Sequence, residues 1–149
     1  MKFTAGDEKL PPVIASVIKN PSAPSTYLGW EFVDADDEAG TATIAFNTTA
    51  QVCNKWGGIH GGMVSAMLDD VLSAAIGLKV EWGEIMPTLE MKTSFISAGK
   101  PGRLMGKGRL IKRGKSIGFA EASLYNEDGS LMATATCTSS FVKLKKKET

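Results

Sequence analysis

The sequence predicts one α+β domain in which an antiparallel sheet of about five or six strands wraps round a single long central helix. Three observations carry this expectation. The 149 residues are 43% hydrophobic and 22% charged, enough for one buried core and too few for two domains. Met63–Ile76 runs without Pro or Gly and is apolar on nearly all sides, as a helix of about four turns surrounded by other structure would be. After it, Leu89, Met91, Thr93 and Phe95 alternate with Glu90, Lys92 and Ser94 at the two-residue period of a strand, and further runs of strand character follow.

The elements can be justified in chain order. Pro11 and Pro12 suit a first helical turn, and Val13, Ile14, Val17 and Ile18 recur at helical spacing until Asn20-Pro21 stops them, so a short N-terminal helix is expected. Pro21–Ser25 reads as a loop, leaving residues 1–25 as helix plus loop. Tyr27–Val33 and Thr41–Phe46 read as a hairpin joined through the polar segment Asp34–Gly40. Cys53–Gly62 has four glycines and no period, and Gly77 closes the long helix that follows. Thr88–Ile96, Arg103–Ile111, Ile117–Tyr125 and Leu131–Val142 are the remaining strands, with turns at Lys112-Arg113-Gly114-Lys115 and Asp128-Gly129. Lys143–Thr149, with four lysines, reads as a solvated basic tail that stops further pairing.

Composition excludes several functions. Seventeen basic against sixteen acidic side chains leave a net charge of +1, which argues against a nucleic acid grip. No window approaches the ~20 apolar residues of a membrane helix, because Asp69 and Asp70 interrupt the best one. The N-terminus lacks an apolar signal core, so a cytoplasmic location with Cys53 and Cys137 reduced is expected. One histidine, His60, without C-x-x-C or H-x-x-x-H spacing, argues against a metal site. Ser65 lies in no G-x-S-x-G elbow, and neither phosphate-loop pattern is present.

Two features remain that could carry chemistry. A carboxylate inside an apolar helix costs several kcal/mol unless something compensates it, which singles out Asp69 and Asp70. At 100° per residue, Asp69 shares its face with Ser65, Ala66, Leu72 and Ser73, whose small side chains leave room for substrate or water. Asp70 lies nearer Met63, Met67 and Ala74 and reads as structural. The second feature is Gly57-Gly58-Ile59-His60-Gly61-Gly62, which runs into the helix start, where free N–H groups stabilise negative charge. Glycine at 61 and 62 lets a ligand oxygen approach the backbone, as an oxyanion hole requires. Gly61 and Asp69 are eight residues apart, about 12 Å along a helix, too far for one carbonyl to touch both. If both act, a two-fold interface must bring the helix start of one subunit opposite Asp69 of another.

Asn54, His60-Gly61-Gly62, Asp69 nine positions after the histidine, and Thr88-Leu89-Glu90-Met91 together resemble the hotdog-fold acyl-CoA thioesterases. Within these the sequence is most similar to the phenylacetate-pathway (PaaI-like) and human thioesterase superfamily member 2 type, over roughly residues 41–141. The resemblance implies that the Gly61 amide polarises the thioester carbonyl while Asp69 of the partner attacks it or activates water. It further implies that Asn54 orients the water or thioester, that His60 fixes the loop and contacts substrate, and that Thr88 holds water near Asp69 after a one-residue shift in alignment. Gly62 and the basic turn Lys112, Arg113, Gly114 and Lys115 fall where relatives meet substrate and coenzyme A phosphates.

The chemistry is coherent without the resemblance, because a thioester carbonyl is electrophilic enough for one carboxylate and an oxyanion hole. No cofactor or metal is then required. The expectation is a homodimer, assembled into a dimer of dimers, that hydrolyses an acyl- or aryl-coenzyme A thioester. The rivals are a non-catalytic acyl-thioester binding protein and a hotdog dehydratase or hydratase. The last expects a D-x-N-x-x-H run where Cys53-Asn54-Lys55-Trp56-Gly57 stands.

Overall fold

In the computed structural model, which describes residues 1–144, a seven-stranded antiparallel sheet curls against one long helix. The strands are β1 (Lys2–Thr4), β2 (Trp30–Asp36), β3 (Thr41–Asn47), β4 (Glu84–Ile85), β5 (Thr88–Phe95), β6 (Arg103–Arg113), β7 (Ile117–Tyr125), β8 (Leu131–Ser140) and β9 (Val142–Lys143). The main sheet has the order β1-β2-β3-β6-β7-β8-β5, and β4 pairs with β9 apart from it. Among the described residues there are three α-helices, α1 (Pro12–Lys19), α2 (Ala23–Tyr27) and α3 (Gly61–Gly77), and one short 3-10 helix, Ala50–Val52.

The core lies between α3 and the sheet. Val64, Met67, Leu68, Val71, Leu72, Ala75 and Ile76 are buried against Ile44, Phe46, Leu104, Ala120, Leu124 and Ala135. Each large aliphatic among them contributes about 1.5–3 kcal/mol by leaving water. Two glycines of β6 make the close approach possible: a Cβ at Gly108 would fall 2.7 Å from the Val71 carbonyl oxygen, and one at Gly106 would overlap the Val71 side chain. On its other side α3 is covered by α1, whose Val13 and Ile14 meet Gly77. That cover explains why the helix is apolar nearly all round.

Several elements differ from the sequence expectation. The long helix starts at Gly61, two residues before Met63, because His60 caps it. Residues 23–27 are helical where a loop was expected: the Ser22 side chain accepts the Ser25 N–H and Pro24 occupies the first turn. The strand expected from Tyr27 therefore begins at Trp30 and continues to Asp36. Strand β1, absent from the sequence reading, pairs Lys2–Thr4 with Asp34–Asp36 and brings the sheet to seven strands. Lys143, placed in the tail, instead pairs with Glu84 in the β4–β9 ribbon, and the Leu144 N–H donates to the Gly83 carbonyl at 2.8 Å. Residues 145–149 of the basic tail lie outside the described residues. Cys53 and Cys137 are both free thiols. Among the described residues no helix is long and apolar enough to cross a membrane.

Candidate active site

Strand β5 closes the sheet at one edge, pairing with β8 on one side only, and α3 runs beneath it in the opposite direction. Helix positions 61, 65 and 69, which share a face at i, i+4 and i+8, meet successive parts of this strand. Gly61 lies against the Phe95 ring, 3.4 Å from the position its Cβ would take. The Ser65 hydroxyl donates to Thr93 Oγ1 at 3.5 Å, and the Thr88 hydroxyl donates to Asp69 Oδ1 at 3.0 Å.

The Thr88–Asp69 bond depends on an irregularity in β5. Thr88 stands opposite Ser139 and Glu90 opposite Thr138, so Leu89 is an extra residue in the strand. Strict alternation back from Met91 would point Leu89 at the helix. Instead Leu89 is 57% exposed and Thr88 takes the inward place beside the carboxylate.

The glycine side is built from backbone contacts. The Cys53–Ile59 bridge closes the loop, with the Ile59 N–H donating to Gly99 O at 3.0 Å and the His60 N–H to Val52 O at 2.9 Å. Asn54 Oδ1 accepts the Trp56 N–H at 2.9 Å. Asn54, Gly58, Gly61, Phe95 and Ile96 line one cavity of about 400 Å³. His60 has an extended backbone, and its Nδ1 accepts the Gly62 N–H at 3.0 Å, which leaves the ring hydrogen on Nε2 when the imidazole is neutral. The Gly62 amide is thereby committed to the cap. The Gly61 amide, at the first helical position, has no intrahelical acceptor and no hydrogen-bond partner among the described residues.

Gly61, Asn54 and His60 thus gather at one end of β5, and Asp69 and Thr88 pair at the other. A single chain does not bring the two groups together.

The basic turn lies at the Thr88 end of the sheet, since Gly118 and Thr88 both stand opposite Ser139. Its residues divide into two roles. Arg113 donates to both carboxylate oxygens of Glu84 at 3.1 and 2.9 Å, donates to the carbonyls of Gly114 and Lys115, and stacks 3.9 Å over the Phe141 ring. It fastens the hairpin tip to β4. Gly114 donates its N–H to Ile117 O at 2.8 Å and has no room for a Cβ. Lys112 and Lys115 are exposed.

Asp70 points away from this row, toward α1 and α2. Its Oδ2 is buried and has no hydrogen-bond partner among the described residues. Burial pushes its carboxyl up to about 6, against the Ser25 hydroxyl, which favours the charged form, and with a smaller upward push from the Asp69 charge. An acid whose folded pKa is raised destabilises the fold above that pKa and costs nothing below its unfolded value near 3.8. An Asp70→Asn variant is therefore expected to be more stable than the wild type at pH 8 by on the order of 2 kcal/mol, roughly 4–8 °C in Tm. The gap should close as the pH falls through 6 toward 4, and thermal unfolding across this range checks it.

The thioesterase superfamily model matches residues 57–133, just over half of the chain, from the glycine loop through α3 and β5 into β8. The chain belongs to the thioesterase superfamily. This thioesterase resembles a phenylacetic acid degradation-related protein from Ralstonia eutropha, with 31% identity, a TM-score of 0.79, and coverage of 86% of this chain and 98% of that one. It is 27% identical to a 1,4-dihydroxy-2-naphthoyl-CoA hydrolase of Listeria monocytogenes, covering 80% of this chain and 95% of that protein. It is 24% identical to a medium/long-chain acyl-CoA thioesterase of Salmonella typhimurium, covering 68% of this chain and 75% of that protein. The fold is the hotdog fold and the activity is thioester hydrolysis.

Sequence reasoning placed Ser65 on the Asp69 face, but it had no means of seeing Phe95 against Gly61. It also missed the cavity beside Asp70, whose walls come from four separate parts of the chain.

Proposed function

We propose that this thioesterase hydrolyses an acyl- or aryl-coenzyme A thioester at sites that two subunits complete together. The observation that carries this reading is the placement of Gly61 and Asp69 at opposite ends of the one β5 edge strand, whose outer edge has no partner strand among the described residues. An open edge with Leu89, Phe95 and Ile96 each more than half exposed is a template for pairing. Antiparallel pairing with the β5 of a second copy places a two-fold axis near the middle of the strand. The axis exchanges the ends, so the partner's Gly61 faces this chain's Asp69. Two equivalent sites result.

In each site the Gly61 N–H, aided by the positive end of α3, donates to the thioester oxygen as negative charge develops there. Asp69 either attacks the carbonyl carbon directly or takes a proton from a water that attacks it. Thr88 donates to Oδ1 and so holds the carboxylate with Oδ2 free for this work. Asn54 orients the water or the thioester, and His60 keeps the loop in place by capping α3. The carbon–sulfur bond then breaks, and the coenzyme A sulfur leaves and is protonated. Lys112 and Lys115 meet the nucleotide phosphates, whereas Arg113 and Gly114 shape the turn that presents them. The outer sheet face, where Lys92, Lys107, Arg109 and Glu121 line a depression of about 710 Å³, is available for joining dimers in pairs.

The acyl group enters the cavity of about 270 Å³ between α1 and α3. Ser73, one turn beyond Asp69, and Met86, two residues before Thr88, are among its lining residues, which supports this placement.

Thiol release from a panel of short, medium, long and aryl thioesters tests the reading. Turnover is expected, with a higher KM for pantetheine thioesters, which lack the nucleotide phosphates. Binding without release from any thioester would contradict it.

A further inference from the structure

Of the three cations in the basic turn, Lys112, Arg113 and Lys115, only Arg113 has a carboxylate partner among the described residues. Its two terminal nitrogens are taken up. One donates to both oxygens of Glu84 and the other to the carbonyls of Gly114 and Lys115, while the guanidinium rests on the Phe141 ring. Glu84 is set deeper than its partner, its side chain 4% exposed against 23% for Arg113. Its Oε2 also accepts the Glu81 N–H at 3.0 Å, and the Glu84 N–H donates to the Glu81 carbonyl at 3.1 Å, so the carboxylate is anchored in the turn that leads into β4. A carboxylate taken this far out of water is costly unless its oxygens are served, and here both are.

A second line of bonds runs beside the first. The Phe141 N–H donates to the Ser116 carbonyl at 2.8 Å, and the Ser140 N–H donates to the Pro87 carbonyl at 3.0 Å, next to Thr88. The hairpin tip is therefore held against the segment that enters β5, whereas Lys112 and Lys115 on it stay exposed.

We propose that Glu84 is a positioning residue for the coenzyme A end of the substrate: acting through Arg113, it holds the hairpin tip in the conformation in which Lys112 and Lys115 meet the nucleotide phosphates. The inference rests on the thioesterase reading above, and within it on the basic turn as the phosphate site. A tip already ordered in the free protein spares the cost of ordering it on binding, so the effect falls on affinity for the phosphate-bearing substrate. Arg113 is then a strut whose charge is taken up by Glu84, and the two lysines carry the phosphate contacts.

The test compares kcat and KM for a coenzyme A thioester and for the pantetheine thioester of the same acyl group, in the wild type, Glu84→Gln, Glu84→Asp, Arg113→Met and the double variant Glu84→Gln/Arg113→Met. Glu84→Gln is expected to raise KM for the coenzyme A thioester by about fivefold or more, with kcat and both constants for the pantetheine thioester nearly unchanged. Glu84→Asp keeps the charge but is one methylene shorter, so it should lose less, and it carries the test if the amide variant fails to fold. Because Glu84 acts through Arg113, the double variant should lose no more than the worse of the two single ones. An unchanged KM in Glu84→Gln, or a loss equal for both thioesters, would overturn the role of Glu84 and leave the thioesterase reading standing. So would a lower KM for the coenzyme A thioester in Glu84→Gln, which would make Arg113 a phosphate ligand that Glu84 restrains. Equal KM values for the two thioesters in the wild type would remove the phosphate site and this inference with it, and absence of thiol release from both would remove the thioesterase reading as well.

Discussion

An Asp69→Asn variant is expected to lose about a hundredfold or more in kcat, with KM for the thioester much less affected. The amide keeps the shape of the carboxylate and can still accept the Thr88 hydrogen bond, so neither the bulge in β5 nor the packing of α3 is disturbed. What it lacks is the negative charge that attacks the carbonyl or takes the proton from water. Steady-state thiol release beside a thermal unfolding curve separates the two effects. Unchanged turnover would make Asp69 structural.

The second large effect is expected from deleting one backbone hydrogen. Gly61 occupies the first position of α3, where proline is well tolerated, and His60 before it has φ −62° and ψ 134°, a conformation that accepts a following proline. Gly61→Pro therefore removes the N–H while leaving the helix start intact. Loss of a single oxyanion donor of this kind lowers kcat by about 10²–10³-fold. Gly61→Ala keeps the N–H, and its Cβ would sit 3.4 Å from the Phe95 ring, so it should lose far less. Equal losses in the two variants would point to crowding against Phe95 in place of the amide.

The residues that made the fold legible are those whose periodicity reflects burial. The apolar circumference of α3 marked it as surrounded, and the alternation in β5 to β8 marked the sheet, because in both cases one side chain pattern serves one environment. Elements of two to five residues escaped for the converse reason. Lys2–Thr4 and Glu84–Ile85 are strands only because Asp34–Asp36 and Val142–Lys143 lie beside them, and α2 is held by the Ser22 cap and not by an apolar stripe.

The site shows the same division. The polarity of the Asp69 face and the glycines before α3 could be read directly, and the helical rise separated Gly61 from Asp69 before any fold was known. That Thr88 reaches Asp69 needed the extra residue at Leu89, which strict alternation hides. Arg113 looked like its neighbours Lys112 and Lys115, yet only the fold shows Glu84 and Phe141 beside it. Asp70 read as structural; only the fold shows that its Oδ2 is buried with no hydrogen-bond partner among the described residues, and that the Ser25 hydroxyl serves the carboxylate.

The claim that each site draws Gly61 from one subunit and Asp69 from the other is tested most directly by mixing two inactive chains. Asp69→Asn and Gly61→Pro subunits, each expected to be nearly inactive alone, are coexpressed or refolded together. In a mixed dimer the intact Gly61 of the first faces the intact Asp69 of the second, which restores one of two sites. Random association makes half the dimers mixed, so about a quarter of wild-type activity is predicted. Activity in the mixture no higher than that of the separate variants, with mixed dimers shown to form, would place both groups in one chain's site and contradict the account.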